Sequence, residues 1–169
     1  MKDDIYYFHQ TPKDLCEDLI DLVPLEADDV VLEPFKGEGN FYDSFPAFVK
    51  KEWCEIEDGR DYKSYTGAID WVITNPPFRM EDNNGKRINS FFPLLEHFAS
   101  RVNKGICFLG NDQCFSTLTP LRMKRLNEMG LYLQGYTVCN VKKWRGRYFF
   151  MLFMKKVDSD INYLIKNYE

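Results

Sequence analysis

Histidine is scarce in this sequence, and no two of its cysteines form a Cys-x-x-Cys pair. The two histidines, His9 and His97, lie far apart, and the five cysteines (Cys16, Cys54, Cys107, Cys114 and Cys139) are odd in number. A zinc site needs three or four clustered ligands and a disulfide framework needs pairs. No metal is therefore assigned, and buried free thiols in a reducing cytosol are expected. Long apolar runs are missing too. None approaches the roughly 20 residues that cross a bilayer, so no membrane partner is expected. The opening Met1-Lys2-Asp3-Asp4 is acidic and gives way to aromatics, unlike a targeting peptide, and a cytoplasmic location is expected. An excess of positive charge is absent: 22 Lys and Arg face 26 Asp and Glu, a net charge of -4. A free-standing nucleic-acid binder usually has the opposite balance, so such contacts must come from a local patch or a partner. Repeats, linkers and low-complexity stretches are lacking as well.

What remains is an ordinary globular composition, 44% hydrophobic and 28% charged, over 169 residues. That length suits one domain spanning residues 1–169. The aromatic share, 16%, supplies a dense core with rings to spare for a stacking surface.

Helical and extended patterns alternate along the chain. Thr11-Pro12 is expected to open a helix, Thr11 as cap and Pro12 at the first helical position. Val30-Val31-Leu32 reads as a short buried strand. A loop, Glu33-Pro34-Phe35-Lys36-Gly37-Glu38-Gly39, and a helix over residues 40–51 follow. Residues 53–56 read as a second strand and residues 69–74 as a third, stopped at Asn75-Pro76-Pro77-Phe78. The polar residues 79–87 read as a mobile loop. A helix over 89–101, a strand over 105–109 and a helix over 120–129 come next. Strands over 131–138 and 148–154 are joined by a basic loop, Lys142-Lys143-Trp144-Arg145-Gly146-Arg147, and a short tail helix is expected over 161–168. This alternation predicts an α/β fold, a mainly parallel sheet with helices on both faces and an antiparallel hairpin at the C-terminal end. Ligands bind such sheets at the carboxyl ends of strands, where both distinctive loops fall.

The first loop is an acid followed by Gly-x-Gly at a helix start, which lets backbone N–H groups approach a ligand closely. Glu33 would repel a diphosphate and suits a cofactor with positive charge near the turn. The second loop is more specific. Each residue before a proline is held extended, and proline cannot pair within a sheet. Asn75 and the Pro76 carbonyl thus offer two acceptors beside the Phe78 ring, an arrangement that fits a planar group bearing an exocyclic NH2.

In these motifs the chain resembles the class I S-adenosylmethionine-dependent amino-methyltransferases, above all the N6-adenine DNA methyltransferases with an Asn-Pro-Pro-aromatic motif. The resemblance runs over about residues 8–155 in the order Phe8 to Pro12, Glu33 to Gly39, an acid after the second strand, then Asn75 to Phe78. It implies a Rossmann-like methyltransferase sheet with S-adenosylmethionine as cofactor. Thr11 would contact the methionine carboxylate and Glu33 would sit near its amino group. Pro34, Gly37 and Gly39 would line the approach, and Asn75 would border the cofactor as well as the substrate. Glu55 would hold the ribose, with Glu57 as alternative, and Ile56 would pack on the adenine that Asp61 and Tyr62 read. Asn75, Pro76, Pro77 and Phe78 would be catalytic. The chain departs from the family in placing Glu55 and Asp61 so close that the intervening strand must be very short or missing. It also carries no separate target-recognition domain.

The leading expectation is methylation of adenine N6 in DNA. The alternatives are RNA adenine or cytosine N4, a protein glutamine amide, and a non-catalytic cofactor-binding subunit. Lys86, Arg87, Lys142, Lys143, Arg145 and Arg147 are candidates for phosphate contact. Trp144, expected to be exposed, is a candidate for stacking. A homodimer or a partner subunit would supply the missing recognition surface.

Overall fold

The computed structural model describes residues 10–142 and 144–156. Phe8 and His9, Lys143 and the expected tail helix lie outside the described residues. In chain order the elements are α1 (Lys13–Ile20), β1 (Val30–Glu33), α2 (Asn40–Ser44), β2 (Lys50–Trp53), β3 (Ile69–Thr74), β4 (Arg79–Glu81) and β5 (Arg87–Asn89). They continue with α3 (Phe91–Ala99), β6 (Val102–Asn111), α4 (Asp112–Phe115), α5 (Pro120–Glu128), β7 (Tyr132–Cys139) and β8 (Tyr148–Met154).

Side chains on a strand alternate between faces, so an unbroken apolar run belongs to a strand covered on both sides. The central strands show this directly. Leu32, Val72, Ile106 and Phe108 pack with Phe91, Leu95 and Phe98 of α3 and Met123 and Leu126 of α5. Their neighbours Val31, Trp71, Ile73, Cys107 and Leu109 pack on the other face with Cys16, Leu19 and Ile20 of α1 and Phe41 of α2. The sheet order is β2-β1-β3-β6-β8-β7. The first four strands are parallel, and β8 runs antiparallel to both β6 and β7. This is the expected mainly parallel sheet with its antiparallel C-terminal hairpin. At the amino ends of the strands a polar cluster ties β1, β3 and β6 together. Val30 N–H donates to Asp70 Oδ2 (2.8 Å), Trp71 Nε1 donates to Asp29 Oδ2 (3.1 Å), and Lys104 pairs with Asp29 (2.6 Å).

Several local expectations are corrected. The helix expected to reach residue 51 ends at Ser44, because Pro46 holds Phe45 extended (ψ 135°). The second strand accordingly starts earlier, over Lys50–Trp53, in register with β1 from Val30↔Lys50 to Glu33↔Trp53. Thr11 does not cap α1: Pro12 occupies the cap position and no side chain caps the helix. The segment expected to be a mobile loop is an antiparallel hairpin, β4–β5, paired from Arg79↔Asn89 to Glu81↔Arg87. Its turn is built by Asp82, whose side chain accepts from the N–H groups of Asn84 and Lys86 (2.9 Å each), and by Gly85 at φ 73°. The turn chemistry was visible in the sequence, but with one apolar residue in each three-residue strand, Met80 and Ile88, the strands are too short to establish an alternation. The helix after it spans Phe91–Ala99, shorter than the expected 89–101, and β6 is longer than expected, from Val102 to Asn111.

No full strand lies between β2 and β3 among the described residues. Two single 3-10 turns, Ile56–Asp58 and Tyr62–Ser64, and an isolated Glu55↔Arg60 bridge fill the interval. The sheet therefore ends at β2.

Gly105 lies where β6 crosses Trp71. A Cβ there would stand 2.5 Å from Trp71 Cζ3 and would also meet the Phe153 carbonyl. Gly105→Ala is expected to cost about 2 kcal/mol or more and to lower Tm by roughly 4–8 °C, read by thermal denaturation.

Candidate active site

Because β1 and β3 are adjacent and parallel, their carboxyl ends open on the same edge of the sheet. Glu33 ends β1; Thr74 ends β3, and Asn75 follows it. Glu33 is 1% exposed, an unusual place for a carboxylate. Its Oε1 accepts from the Phe35 N–H at 3.0 Å. Burial pushes its pKa up to about 8; the Thr74 hydroxyl and the Phe35 N–H pull it back, and nearby Glu55 raises it further.

The loop after Glu33 is folded against the end of β2. Cys54 N–H donates to the Glu33 carbonyl (2.8 Å) and Lys36 N–H to the Cys54 carbonyl (3.0 Å). Gly37 N–H donates to Glu55 Oε2 at 2.7 Å. Gly39, at φ 95°, is the residue from which α2 starts. That left-handed conformation favours glycine, and a Cβ would press on Lys36 Cε at 3.3 Å. The Lys36 ammonium lies over the Trp53 ring (4.4 Å), whose neighbour Arg60 approaches the same ring at 3.9 Å.

These elements wall a small cleft that is open to solvent. Of the residues expected in a site, Thr11, Glu33, Gly37 and Asn75 line it together. Pro34 and Gly39 are buried in its loop without lining it. Glu55 stands behind the loop, holding Gly37. Ile56 is 71% exposed, and Asp61 caps its own turn by accepting from Lys63 N–H at 3.0 Å. Tyr62 reaches the cleft only indirectly, edge-on to Phe35 at 5.0 Å. Sequence reasoning missed Gln10, Phe35, Lys36, Glu38, Asn40 and Phe41 as lining residues. Phe35, Lys36 and Glu38 lie within the loop already singled out. Asn40 shows only as a polar residue at a helix start.

The Asn75–Phe78 turn is held from three sides. Asn75 Nδ2 donates to Thr11 Oγ1 (3.3 Å), while Asn75 Oδ1 is out of solvent contact. Buried Ser90 donates through its hydroxyl to the Pro77 carbonyl and through its N–H to the Phe78 carbonyl (3.2 Å). The Phe78 ring packs against Tyr148 at 6.2 Å, and Tyr148 against Trp144 at 4.4 Å. Pro76 is buried and Pro77 exposed. Trp144 is thus half-buried rather than exposed, because Tyr148 gives it an apolar seat.

Phe78 and Ser90 form the foot of the β4–β5 hairpin, with Lys86 and Arg87 at its far end, and Tyr148 ends the basic loop beside this turn. Lys86, Arg87, Lys142 and Arg145 are exposed. Arg147 pairs with Asp112 (Nε to Oδ1, 3.1 Å).

No protein-family model and no curated protein sequence matches the chain. Solved structures of methyltransferases do share its fold. A candidate RNA methyltransferase from Pyrococcus horikoshii aligns at 16% identity and a TM-score of 0.59 over 88% of this chain and 86% of its own. Magnesium protoporphyrin IX methyltransferase from Synechocystis, with S-adenosylmethionine bound, aligns at 9% identity and a TM-score of 0.59 over 85% of this chain and 77% of its own. A chain from an E. cuniculi complex responsible for methylating a translation termination factor aligns at 15% identity and a TM-score of 0.53, over 88% and 98%. At such identities the likeness is one of fold: the chain has the Rossmann-like methyltransferase architecture.

The buried carboxyl carries a pH signature. An acid whose folded pKa exceeds its unfolded value binds its proton more tightly when folded, so stability falls as pH rises between the two values. For Glu33 that window runs from 4.5 to about 8. Glu33→Gln is therefore expected to raise Tm by several degrees at about pH 8.5 and to change it little at about pH 4.5, measured by scanning calorimetry.

Proposed function

We propose that this chain is an S-adenosylmethionine-dependent methyltransferase acting on an exocyclic amino group, with adenine N6 in DNA as the first substrate to test. The observation that carries this reading is the shared cleft: Glu33 and Asn75, at the ends of neighbouring parallel strands, line one space together with Thr11. The donor set fits the cofactor. A buried carboxyl with a raised pKa is the group that a cationic amino acid end would compensate. The backbone of the glycine loop suits the methionine part, with Thr11, Glu33 and Gly37 on the cleft and Pro34 and Gly39 shaping the loop behind it. Glu55, Ile56, Asp61 and Tyr62 belong to the neighbouring surface that would take the ribose and adenine.

S-adenosylmethionine, when bound, supplies a methyl group already activated on a sulfonium. The task left to the chain is to align the nucleophile. An aromatic amine has its lone pair spread into the ring. If Asn75 Oδ1 and the Pro76 carbonyl accept its two N–H bonds, the nitrogen is drawn towards a tetrahedral shape and its lone pair is aimed across the cleft. The amine loses one of those protons once the new N–C bond forms, so no strong base is required. Alignment and electrostatics do the catalysis. Phe78 would stack the target base, worth roughly 1–3 kcal/mol.

The aromatic series Phe78, Tyr148 and Trp144, with the basic loop leading into Tyr148 and a second basic pair at the far end of the β4–β5 hairpin, supports a nucleic-acid substrate despite the net negative charge. RNA adenine and cytosine N4 present the same amino group and remain arms of the test. So does a protein glutamine amide. The recognition surface for duplex DNA would be completed by a second copy or a partner subunit.

The reading is tested by radiolabelled methyl transfer to DNA, RNA and protein, together with cofactor-induced stabilisation. S-adenosylmethionine is expected to raise Tm in the wild type and in Asn75→Ala. Asn75→Ala should lose about a hundredfold or more in turnover, because its acceptor matters most in the transition state. No Tm shift at millimolar cofactor, or an active Asn75→Ala enzyme, would sink the proposal.

The basic segments give a second expectation. Lys86, Arg87, Lys142 and Arg145 changed together to Ala should cut methylation of a single-stranded oligonucleotide and flatten its salt dependence, with about 0.7 lost from the log–log slope per phosphate contact removed. The cofactor-induced Tm shift should be unaffected. Methylation with an unchanged salt slope would place the recognition surface elsewhere.

A further inference from the structure

Three separated stretches of chain converge on Thr11. Its hydroxyl accepts from Asn75 Nδ2 (3.3 Å) after β3, and its carbonyl accepts from Asn40 Nδ2 (2.7 Å) at the start of α2. The Cys16 thiol of α1 donates to the same carbonyl (3.9 Å), and Cys16 N–H holds the Pro12 carbonyl at 3.0 Å. Thr11 is 4% exposed, yet it lines the cleft. Pro12 also restricts its backbone to extended conformations. The backbone of Thr11 is thus anchored by two helices, and its hydroxyl is held against the Asn75 amide.

We propose that Thr11 is a positioning residue that sets the Asn75 side-chain amide, beyond any contact it makes with a cofactor carboxylate; this rests on the methyltransferase reading of the cleft. A hydroxyl can accept from an amide NH2 or donate to an amide oxygen, so the contact fixes where the Asn75 side chain lies. Released from Thr11, the amide would lose the alignment that the methyltransferase reading asks of it. Thr11 also contacts the glycine-loop helix through Asn40, so the wall that would hold the cofactor and the acceptor for the nucleophile share one support.

A role confined to the cofactor and a role in setting Asn75 give different kinetics. Loss of a cofactor contact raises the cofactor dissociation constant and leaves kcat at saturation unchanged. Loss of positioning lowers kcat at saturation. Thr11→Val keeps the branched shape and removes the hydroxyl, whereas Thr11→Ser keeps the hydroxyl. Thr11→Ala is a second hydroxyl deletion in case valine disturbs the fold.

The test has two arms on the full chain. In the first, the Asn75 side-chain NH2 resonances of the 15N-labelled, cofactor-free protein are identified by their loss in Asn75→Ala. They are expected to move or broaden in Thr11→Val and Thr11→Ala and to stay close to wild type in Thr11→Ser. In the second, single-turnover methyl transfer at saturating S-adenosylmethionine is expected to fall by about tenfold to a hundredfold in the valine variant and to recover in the serine variant. Unmoved Asn75 resonances in both hydroxyl deletions, or an unchanged saturating rate, would overturn the positioning role. A wild type with no methyl transfer and no cofactor-induced Tm shift would overturn the methyltransferase reading instead, and the resonance arm would still decide whether Thr11 holds Asn75.

Discussion

The parallel pairing of β1 with β3 is the constraint on which the rest of the site depends. It puts Glu33 and Asn75, separated by about 40 residues of chain, at the same edge of the sheet. The pairing is secured far from the cleft, where Asp70 takes the Val30 N–H and Asp29 takes the Trp71 indole. The apolar alternation of both strands then commits one set of side chains to α1 and α2 and the other to α3 and α5. Slipping either strand by one residue would exchange those sets and turn Glu33 away from the cleft.

Burying Glu33 disfavours its charged form, and the fold accommodates it with few partners. One backbone N–H, with the Thr74 hydroxyl close by but not in hydrogen-bonding geometry, is too little to restore an ordinary carboxyl pKa. Groups held in this way are common at sites whose partner arrives with the ligand. The surrounding contacts are rigid by comparison. Glu55 fixes Gly37, Cys54 is bonded in both directions to the loop, and Ser90 holds two consecutive carbonyls of the Pro-Pro-Phe turn. The cleft therefore combines an under-compensated carboxyl with a stiff frame, a combination suited to binding a cationic ligand without large rearrangement.

The loss of a strand between β2 and β3 changes the edge of the sheet. The short turns at Ile56–Asp58 and Tyr62–Ser64 leave β2 outermost, with Trp53 covered by Lys36 and Arg60. Charged side chains over an edge strand are a familiar protection against unwanted strand pairing. The same economy places Tyr62 against Phe35 and His97, so one ring packs both the cleft wall and α3.

Much of this was legible in the chain itself. The apolar runs of β1, β3 and β8 stand out because strands buried on both faces need unbroken hydrophobicity, and Asn75-Pro76-Pro77-Phe78 marks a strand end because prolines cannot continue a ladder. The missing strand could be inferred from the short interval between Glu55 and Asp61. Other features depended on contacts between distant residues. The end of α2 and the start of β2 were set by Pro46 and by register with β1. The β4–β5 hairpin has strands of three residues each, too short to leave a periodic signal. Trp144 is withdrawn from solvent because Tyr148 lies beneath it. Above all, local pattern cannot show that Thr11 meets both Asn40 and Asn75. Periodicity and turn chemistry act between near neighbours, whereas that meeting requires the sheet to close first, bringing the ends of β1 and β3 under the start of α1.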